Sequence, residues 1–116
     1  MEDNERLLNF FGGNCWSLNK SAVKSFGIEK TLWLTYLFEQ RDALIKSNQI
    51  KSNDSFSVSQ NQIFRDTGIS IDKQTKFVSY FSNLQIISKQ LKGIPAKYFY
   101  RINDQNFNNI IGGRRI

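Results

Sequence analysis

The longest helical pattern along the chain lies between residues 28 and 45, a segment without glycine or proline. Its apolar residues recur at the spacing of an α-helix, at Leu32, Trp33, Tyr36, Leu37 and Leu44. A shorter helix is predicted before it, from about Lys20 to Phe26, because Gly27 can adopt the left-handed conformation that ends helices. The polar residues 46–55 that follow predict a loop.

The long helix carries apolar side chains on more than one side, since Leu34 and Phe38 extend its apolar surface. One packing partner would not cover that surface, and two interpretations stay open. Apolar residues from the two ends of the chain can pack on it, namely Leu7, Leu8, Phe10, Phe11, Phe107, Ile110 and Ile111. Alternatively, a homodimer can form through a surface made of Trp33, Leu34 and Phe38.

A helix-turn-helix pattern follows the loop. The first helix is predicted to begin at Ser59, which forms a capping box with Gln62 in which each side chain bonds the other residue's backbone N–H. Gly68 ends this helix, Ile69 anchors the turn and Ser70 caps the second helix. In the second helix, the apolar spacing predicts one buried face made of Phe77, Val78, Phe81 and Leu84.

The opposite face of the second helix is polar and suits a DNA major groove. Its candidate DNA-binding residues are Ser70, Asp72, Lys73, Thr75, Lys76, Ser79 and Tyr80, and Asn83 shares their side. Lysines donate to phosphates or guanine acceptors, and Tyr80 offers a phenol to a phosphate or a ring to a thymine methyl. Asp72 either stabilises the first turn through the helix dipole or accepts from a cytosine amino group.

A β-hairpin is predicted next, with residues 86–91 and 97–102 as strands and 92–96 as the turn. We expect Lys89, Lys92 and Lys97 to lie along a phosphate backbone. The net charge of +6 falls entirely on the residues from 59 onward, which contain nine Lys/Arg and three Asp/Glu, whereas residues 1–58 contain seven of each. Exposed lysines can serve solubility alone, but their concentration on two adjacent elements favours a polyanionic partner.

In this order of parts, residues 15–102 resemble the winged-helix domains of phage and plasmid replication initiators and replisome organisers. The resemblance rests on Trp16-Ser17-Leu18, the long helix with its polar loop, Phe56-Ser57-Val58-Ser59, Thr67-Gly68-Ile69-Ser70, and the basic turn from Gln90 to Tyr98.

The resemblance implies a mostly helical α+β fold: a winged helix-turn-helix with a three-helix core, a β-hairpin wing and an extra N-terminal helix. It also implies sequence-specific binding of double-stranded DNA in replication initiation, through a recognition helix at about 71–84 and a wing at about 86–102. A transcription regulator of the same fold and a winged-helix protein–protein adaptor are the alternatives.

The domain boundaries that follow are an N-terminal extension at 1–14, a winged-helix DNA-binding domain at 15–103 and a C-terminal tail at 104–116. Residues 112–116 are interpreted either as a frayed end or as a minor-groove arm. The acidic start is unlike a signal peptide, and no apolar run approaches the ~20 residues that span a bilayer. With its single cysteine, Cys15, we expect the protein to be cytoplasmic and not bound to a membrane.

Enzyme chemistry is not expected from this composition. The chain has no histidine, which removes Ser-His and Cys-His catalysis and the imidazole metal ligands. It also has no glycine-rich phosphate loop, and the basic half offers only Asp66, Asp72 and Asp104 as carboxylates. We therefore expect no catalytic residues, no metal site, no cofactor and no small-molecule ligand.

Overall fold

The computed structural model describes residues 15–112, which form a mostly helical α+β fold with five helices and a three-stranded antiparallel sheet. The helices are α1 (Lys20–Phe26), α2 (Ile28–Lys46), α3 (Gln60–Thr67), α4 (Ile71–Asn83) and α5 (Asp104–Gly112). The strands are β1 (Phe56–Ser57), β2 (Ile87–Lys92) and β3 (Lys97–Ile102). This order of elements is compatible with a winged-helix-like layout.

Local signals set the ends of α3 and α4 as the sequence predicts. The Ser59 hydroxyl accepts from the Gln62 backbone N–H at 3.0 Å, and the Ser70 hydroxyl accepts from the Lys73 backbone N–H at 3.3 Å. Gly68 follows α3 with φ at 79°, a left-handed conformation that costs glycine little. Both predicted caps and the predicted stop are confirmed.

The prediction of a capping box is wrong for its second hydrogen bond, because the Gln62 side chain does not bond the backbone N–H of Ser59. Its Nε2 instead donates to the Tyr36 hydroxyl at 2.9 Å and to Gln40 Oε1 at 3.3 Å. The Tyr36 hydroxyl in turn donates to Asp66 Oδ2 at 2.6 Å. These bonds join α2 to α3, so a tertiary partner has replaced the local one.

The core lies where α2, α4 and the sheet meet around Trp33. The Trp33 ring stacks on Phe81, with centroids 5.8 Å apart and planes at 6°, and meets Phe77 and Tyr100 edge-on. Phe77, Val78 and Phe81 are all buried, which confirms the predicted inner face of the second motif helix for three of its four residues. Leu84 follows the end of the helix and is half-buried against the core. The polar residues of α4 are consequently left on the outer side.

The hypothesis of a dimer surface is wrong for Trp33 and Leu34. Their side chains are 0% and 2% exposed, because the chain's own core covers them. Phe38 is half-buried and meets Phe107 of α5 edge-on at a centroid distance of 5.0 Å. The alternative interpretation, internal packing, is confirmed for Phe107 and Ile111, whereas residues 7–11 lie outside the described range.

Residues 104–112 form a helix that is fastened to the rest of the fold. Arg41 of α2 is buried, and its guanidinium makes a two-pronged ion pair with Asp104, at 3.2 Å from Nη1 to Oδ2 and 3.1 Å from Nη2 to Oδ1. The predicted domain boundary at residue 103 therefore separates α5 from α2, although this ion pair joins the two helices. The predicted arm falls almost wholly on residues 113–116, outside the described range.

The sheet has the order β1-β3-β2, with β3 in the middle. β2 and β3 form a hairpin that closes at the Lys92–Lys97 pair, one residue later on the first strand than predicted. The sequence did not indicate β1, which pairs Phe56 with Tyr100 but contains only two residues. Within residues 15–112, no helix combines the length and apolarity needed to cross a membrane.

Candidate nucleic-acid interface

The outer face of α4 carries most of the predicted DNA-binding residues in exposed positions. Asp72, Lys73, Thr75, Lys76 and Ser79 are exposed, while Ser70 and Tyr80 are half-buried. These residues share a side because the buried set of α4 occupies the other one. The structure thus brings the predicted residues of this helix together on one element.

Tyr80 stands at the margin of this face. Its ring meets Phe26 at a centroid distance of 6.1 Å and Phe81 at 5.2 Å, both edge-on. Lys30 of α2 lies over the same ring, with Nζ 4.9 Å from its centroid. The tyrosine ring therefore packs against the core and beneath a lysine rather than standing free for a base.

Lys73 is paired with a carboxylate that the sequence did not associate with it. Its Nζ lies 3.0 Å and 3.1 Å from the two carboxylate oxygens of Glu29, in the first turn of α2. The two residues are 44 positions apart in the chain, so no local pattern connects them. Lys73 and Lys76 consequently differ, because Lys73 has an ion-pair partner whereas Lys76 belongs to none of the ion pairs of residues 15–112.

Gln74, which the sequence analysis did not single out, fixes the position of α4 in the motif. It is 0% exposed, and its Nε2 donates to the carbonyl oxygens of Gln60 and Ile69, each at 3.0 Å. One side chain thus bonds the start of α3, the turn and α4. Near it, the Gln60 amide lies 3.5 Å from the Thr75 hydroxyl, which places the start of α3 beside the polar face.

The three hairpin lysines are all exposed, but they do not share one face. Side chains of directly paired residues lie on the same side of an antiparallel sheet, and Lys89 is paired with the buried Tyr100. Lys92 and Lys97 are paired with each other and occupy the opposite face. The expectation that the cations converge on a single surface is therefore only partly met.

Aromatic rings hold two of the hairpin lysines. Lys89 Nζ lies 4.3 Å from the Tyr98 centroid, and Lys92 Nζ lies 5.0 Å from the Phe99 centroid. Lys92 also donates to the Ser55 hydroxyl at 2.9 Å. Cation–π contacts of exposed lysines are worth about 0.5–1 kcal/mol, so they orient the ammonium groups without removing them from solvent.

Two grooves flank the hairpin. One, of about 460 Å³, runs between the hairpin and the start of α3 and is lined by Ser57, Ser59, Gln60, Leu91, Lys97 and Tyr98. The other, of about 860 Å³, separates the end of α4 from the base of the hairpin and is lined in part by Ser82, Gln85, Lys89, Arg101 and the acidic residue Asp104. Arg101, exposed in the second groove, is a cation that the predicted site omitted.

The stretch of chain that supplies most of this region lacks carboxylates, although Glu29, Asp72 and Asp104 lie at its margins. From Lys73 to Asn103 the chain contains six basic residues and no acidic one. Burial raises the pKa of Tyr100 above its ordinary value, and the nearby Tyr98 raises this pKa further. The Tyr100 hydroxyl is therefore neutral near pH 7. Among residues 15–112, no three His, Cys, Asp or Glu side chains lie close enough to hold a metal ion.

No family model matches the chain, and comparisons with curated proteins and with solved structures also give no match. The function is therefore inferred from the arrangement of its side chains.

Proposed function

We propose that this chain is a winged-helix module that binds double-stranded DNA, with α4 in the major groove and the β2–β3 hairpin as a wing. The observation that carries the proposal is the carboxylate-free stretch from Lys73 to Asn103, which supplies most of α4 and the whole hairpin. An α-helix fits the major groove, which is about 12 Å wide. A patch of cations beside such a helix suits the phosphate backbone.

Each part of the interface has a distinct role in this proposal. Lys76 donates to a phosphate, while Thr75 and Ser79 offer hydroxyls to base edges. The hairpin lysines contact phosphates on either side of the wing, and Arg101 contacts a phosphate in the groove at its base. Gln74 positions α4 and does not touch DNA.

For the biological role we propose replication initiation of the phage or plasmid type, with transcription regulation as the alternative. Selection of bound duplexes from a random pool separates the two roles. An enriched array of direct repeats supports an origin-binding protein, whereas one inverted repeat supports a symmetric regulator.

A protein–protein adaptor is the second candidate function, and a specific observation favours it. Phe64 and Ile71 are 50% and 40% exposed and flank a shallow hollow beside the turn of the motif. Contiguous exposed apolar patches mark interaction sites, and these two side chains form the apolar part of the hollow's lining. This candidate predicts no salt-sensitive retention on DNA and a protein complex that is lost when Phe64 is replaced by Gln.

The DNA-binding proposal is tested by Lys76→Gln, with Lys46→Gln as the matched control. Both lysines are exposed on helices, but Lys46 ends α2, roughly 25 Å along its axis from Glu29, the residue that contacts the start of α4. Affinity for a short labelled duplex is measured by fluorescence anisotropy across a range of salt concentrations. Loss of one phosphate contact lowers the slope of log affinity against log salt by about 0.9.

We expect Lys76→Gln to lower the slope and weaken binding, and Lys46→Gln to change neither beyond the small effect of net charge. Equal effects of the two substitutions would show that charge acts without a defined interface. Wild-type protein that fails to bind duplex at low salt would rule out the proposal altogether.

A further inference from the structure

We propose that Glu29 restrains charge-driven DNA binding by holding Lys73 away from phosphates, so that the two lysines of α4 contribute unequally. This inference rests on the proposed function and concerns the regulation of the same interface. It assigns a role in DNA binding to α2, which lies outside the recognition helix and the wing.

The geometry of the pair supports competition with DNA. Lys73 Nζ lies between the two carboxylate oxygens of Glu29, at 3.0 Å and 3.1 Å, so the carboxylate occupies the position a phosphate would take. The two side chains are 52% and 51% exposed. The pair is thus open to solvent, and an approaching phosphate can displace the carboxylate.

The position of Glu29 extends its effect beyond Lys73. Both residues lie in the first turns of their helices, so the carboxylate stands at the N-terminal end of α4. That end of a recognition helix is the one brought to the base edges. A phosphate near it lies within the Debye length of about 10 Å at 0.1 M salt and is repelled by the carboxylate.

The neighbouring cations do not share this restraint. Lys30 lies next to Glu29 in sequence, but its Nζ is directed over the Tyr80 and Phe77 rings at 4.9 Å and 5.4 Å. Lys76 belongs to none of the ion pairs found among residues 15–112. Lys76 can therefore contact a phosphate without breaking an ion pair, whereas Lys73 must first release Glu29.

The consequence concerns binding to DNA of unrelated sequence. Such binding depends almost entirely on the neutralisation of phosphates by cations. A carboxylate that neutralises one of those cations removes about one phosphate contact from every duplex. Glu29 thus lowers background affinity, while the polar residues of α4 that face the bases remain unchanged.

The test uses wild-type protein, Glu29→Gln, Lys73→Gln and the double variant. Glutamine keeps the shape of the side chain and an oxygen that can accept from Lys73, but it removes the charge. Asp42→Asn is the matched control, because it makes the same charge change at an exposed position roughly 20 Å further along α2. Affinity for a duplex of arbitrary sequence is measured against salt concentration, and circular dichroism checks the fold.

We expect Glu29→Gln to raise the affinity about threefold to tenfold at low salt and to steepen the salt slope by about 0.9. Asp42→Asn should change both far less. Lys73→Gln should weaken binding moderately in the wild-type protein, because it leaves the Glu29 carboxylate uncompensated. It should weaken binding more in the Glu29→Gln background, where it removes a phosphate contact and cancels the gain. This dependence of one substitution on the other distinguishes competition from a general charge effect.

Two results would overturn the inference while leaving the proposed function intact. The first is an affinity of Glu29→Gln equal to that of Asp42→Asn. The second is weaker binding of Glu29→Gln than of the wild type, which would make the ion pair a positioning contact for α4. Absence of salt-dependent binding in the wild type and in every variant would instead reject the proposed function and this inference together.

Discussion

At the scale of single residues, Tyr36 shows how this fold accommodates a polar group in its core. The residue is 2% exposed, yet its hydroxyl donates to Asp66 and accepts from Gln62. A buried hydroxyl with both partners avoids the penalty of an unsatisfied polar group. Tyr36 therefore joins α2 to α3 and fixes the first helix of the motif.

This environment predicts a loss of stability at alkaline pH. Burial, and next the hydrogen bond to Asp66, raise the pKa of Tyr36 above its ordinary value of 10.0. The unfolded chain therefore loses this proton at a lower pH than the folded chain. The resulting stabilisation is complete below pH 10 and is lost as the pH rises through the raised pKa.

We predict that the free energy of unfolding of Tyr36→Phe falls less steeply above pH 10 than that of the wild type. At neutral pH the variant should be less stable by about 1 kcal/mol, because Asp66 and Gln62 lose a partner. Urea titrations at neutral and alkaline pH measure both effects. Tyr98→Phe, at an exposed tyrosine, is the control. An alkaline decline as steep as that of the wild type would contradict the prediction.

At the scale of elements, the sequence predicts what is encoded within a few residues. Ser59 and Ser70 cap helices through backbone N–H groups three positions away, and Gly68 ends α3 through its own dihedral angles. The inner face of α4 follows from helical periodicity in the same way. The first four helices and the hairpin could therefore be predicted to within one or two residues, whereas the prediction of a C-terminal tail at 104–116 misses α5.

The contacts that complete the site could not be predicted, because they join distant parts of the chain. Lys73 and Glu29 are 44 positions apart, and Arg41 and Asp104 are 63 positions apart. No periodicity links such pairs, and only the packing of the helices brings them together. The same reason explains the misplaced Gln62 side chain, which prefers a partner 26 positions away.

The attachment of α5 depends on one of these distant pairs, the ion pair between Arg41 and Asp104. We predict that weakening this pair lowers the free energy of unfolding. Asp104→Asn leaves the buried guanidinium of Arg41 with a neutral partner in place of a carboxylate. Breaking a fully buried pair costs about 3–5 kcal/mol, but Asp104 is 50% exposed, so we expect about 1–2 kcal/mol. Urea unfolding measures the loss, and Asp42→Asn should cause almost none. Equal stability of the two variants would show that the ion pair does not hold α5, which also packs through Phe107 and Ile111 and donates from Asn106 to the Gln85 carbonyl.

At the scale of the whole molecule, the sequence divides into a neutral half and a basic half. Residues 1–58 carry balanced charge, while α4 and the hairpin carry cations without intervening carboxylates. The neutral half nevertheless reaches the interface, because α2 places Glu29 and Lys30 beside α4. The net charge of the basic half alone therefore overstates the number of cations free to contact DNA.

The hairpin offers a test of how the molecule as a whole sits on DNA. Lys92 and Lys97 lie on one face and Lys89 on the other, so the orientation of the wing decides how many of them contact phosphates. Replacing all three by Gln should lower the salt slope by about 2.7 if the hairpin edge enters a groove, and by about 1.8 if one face lies on the backbone.

The matched control replaces Lys20, Lys24 and Lys46 by Gln, which makes the same change in net charge on α1 and α2. Single Lys89→Gln then separates the two orientations, because it lowers the slope only when the hairpin edge is inserted. If the triple hairpin variant and the control triple lower the slope equally, the hairpin is not a wing. Such a result would leave α4 as the sole contact with DNA. The drop of about 0.9 in the salt slope expected for Lys76→Gln would then have to be a large part of the whole wild-type slope.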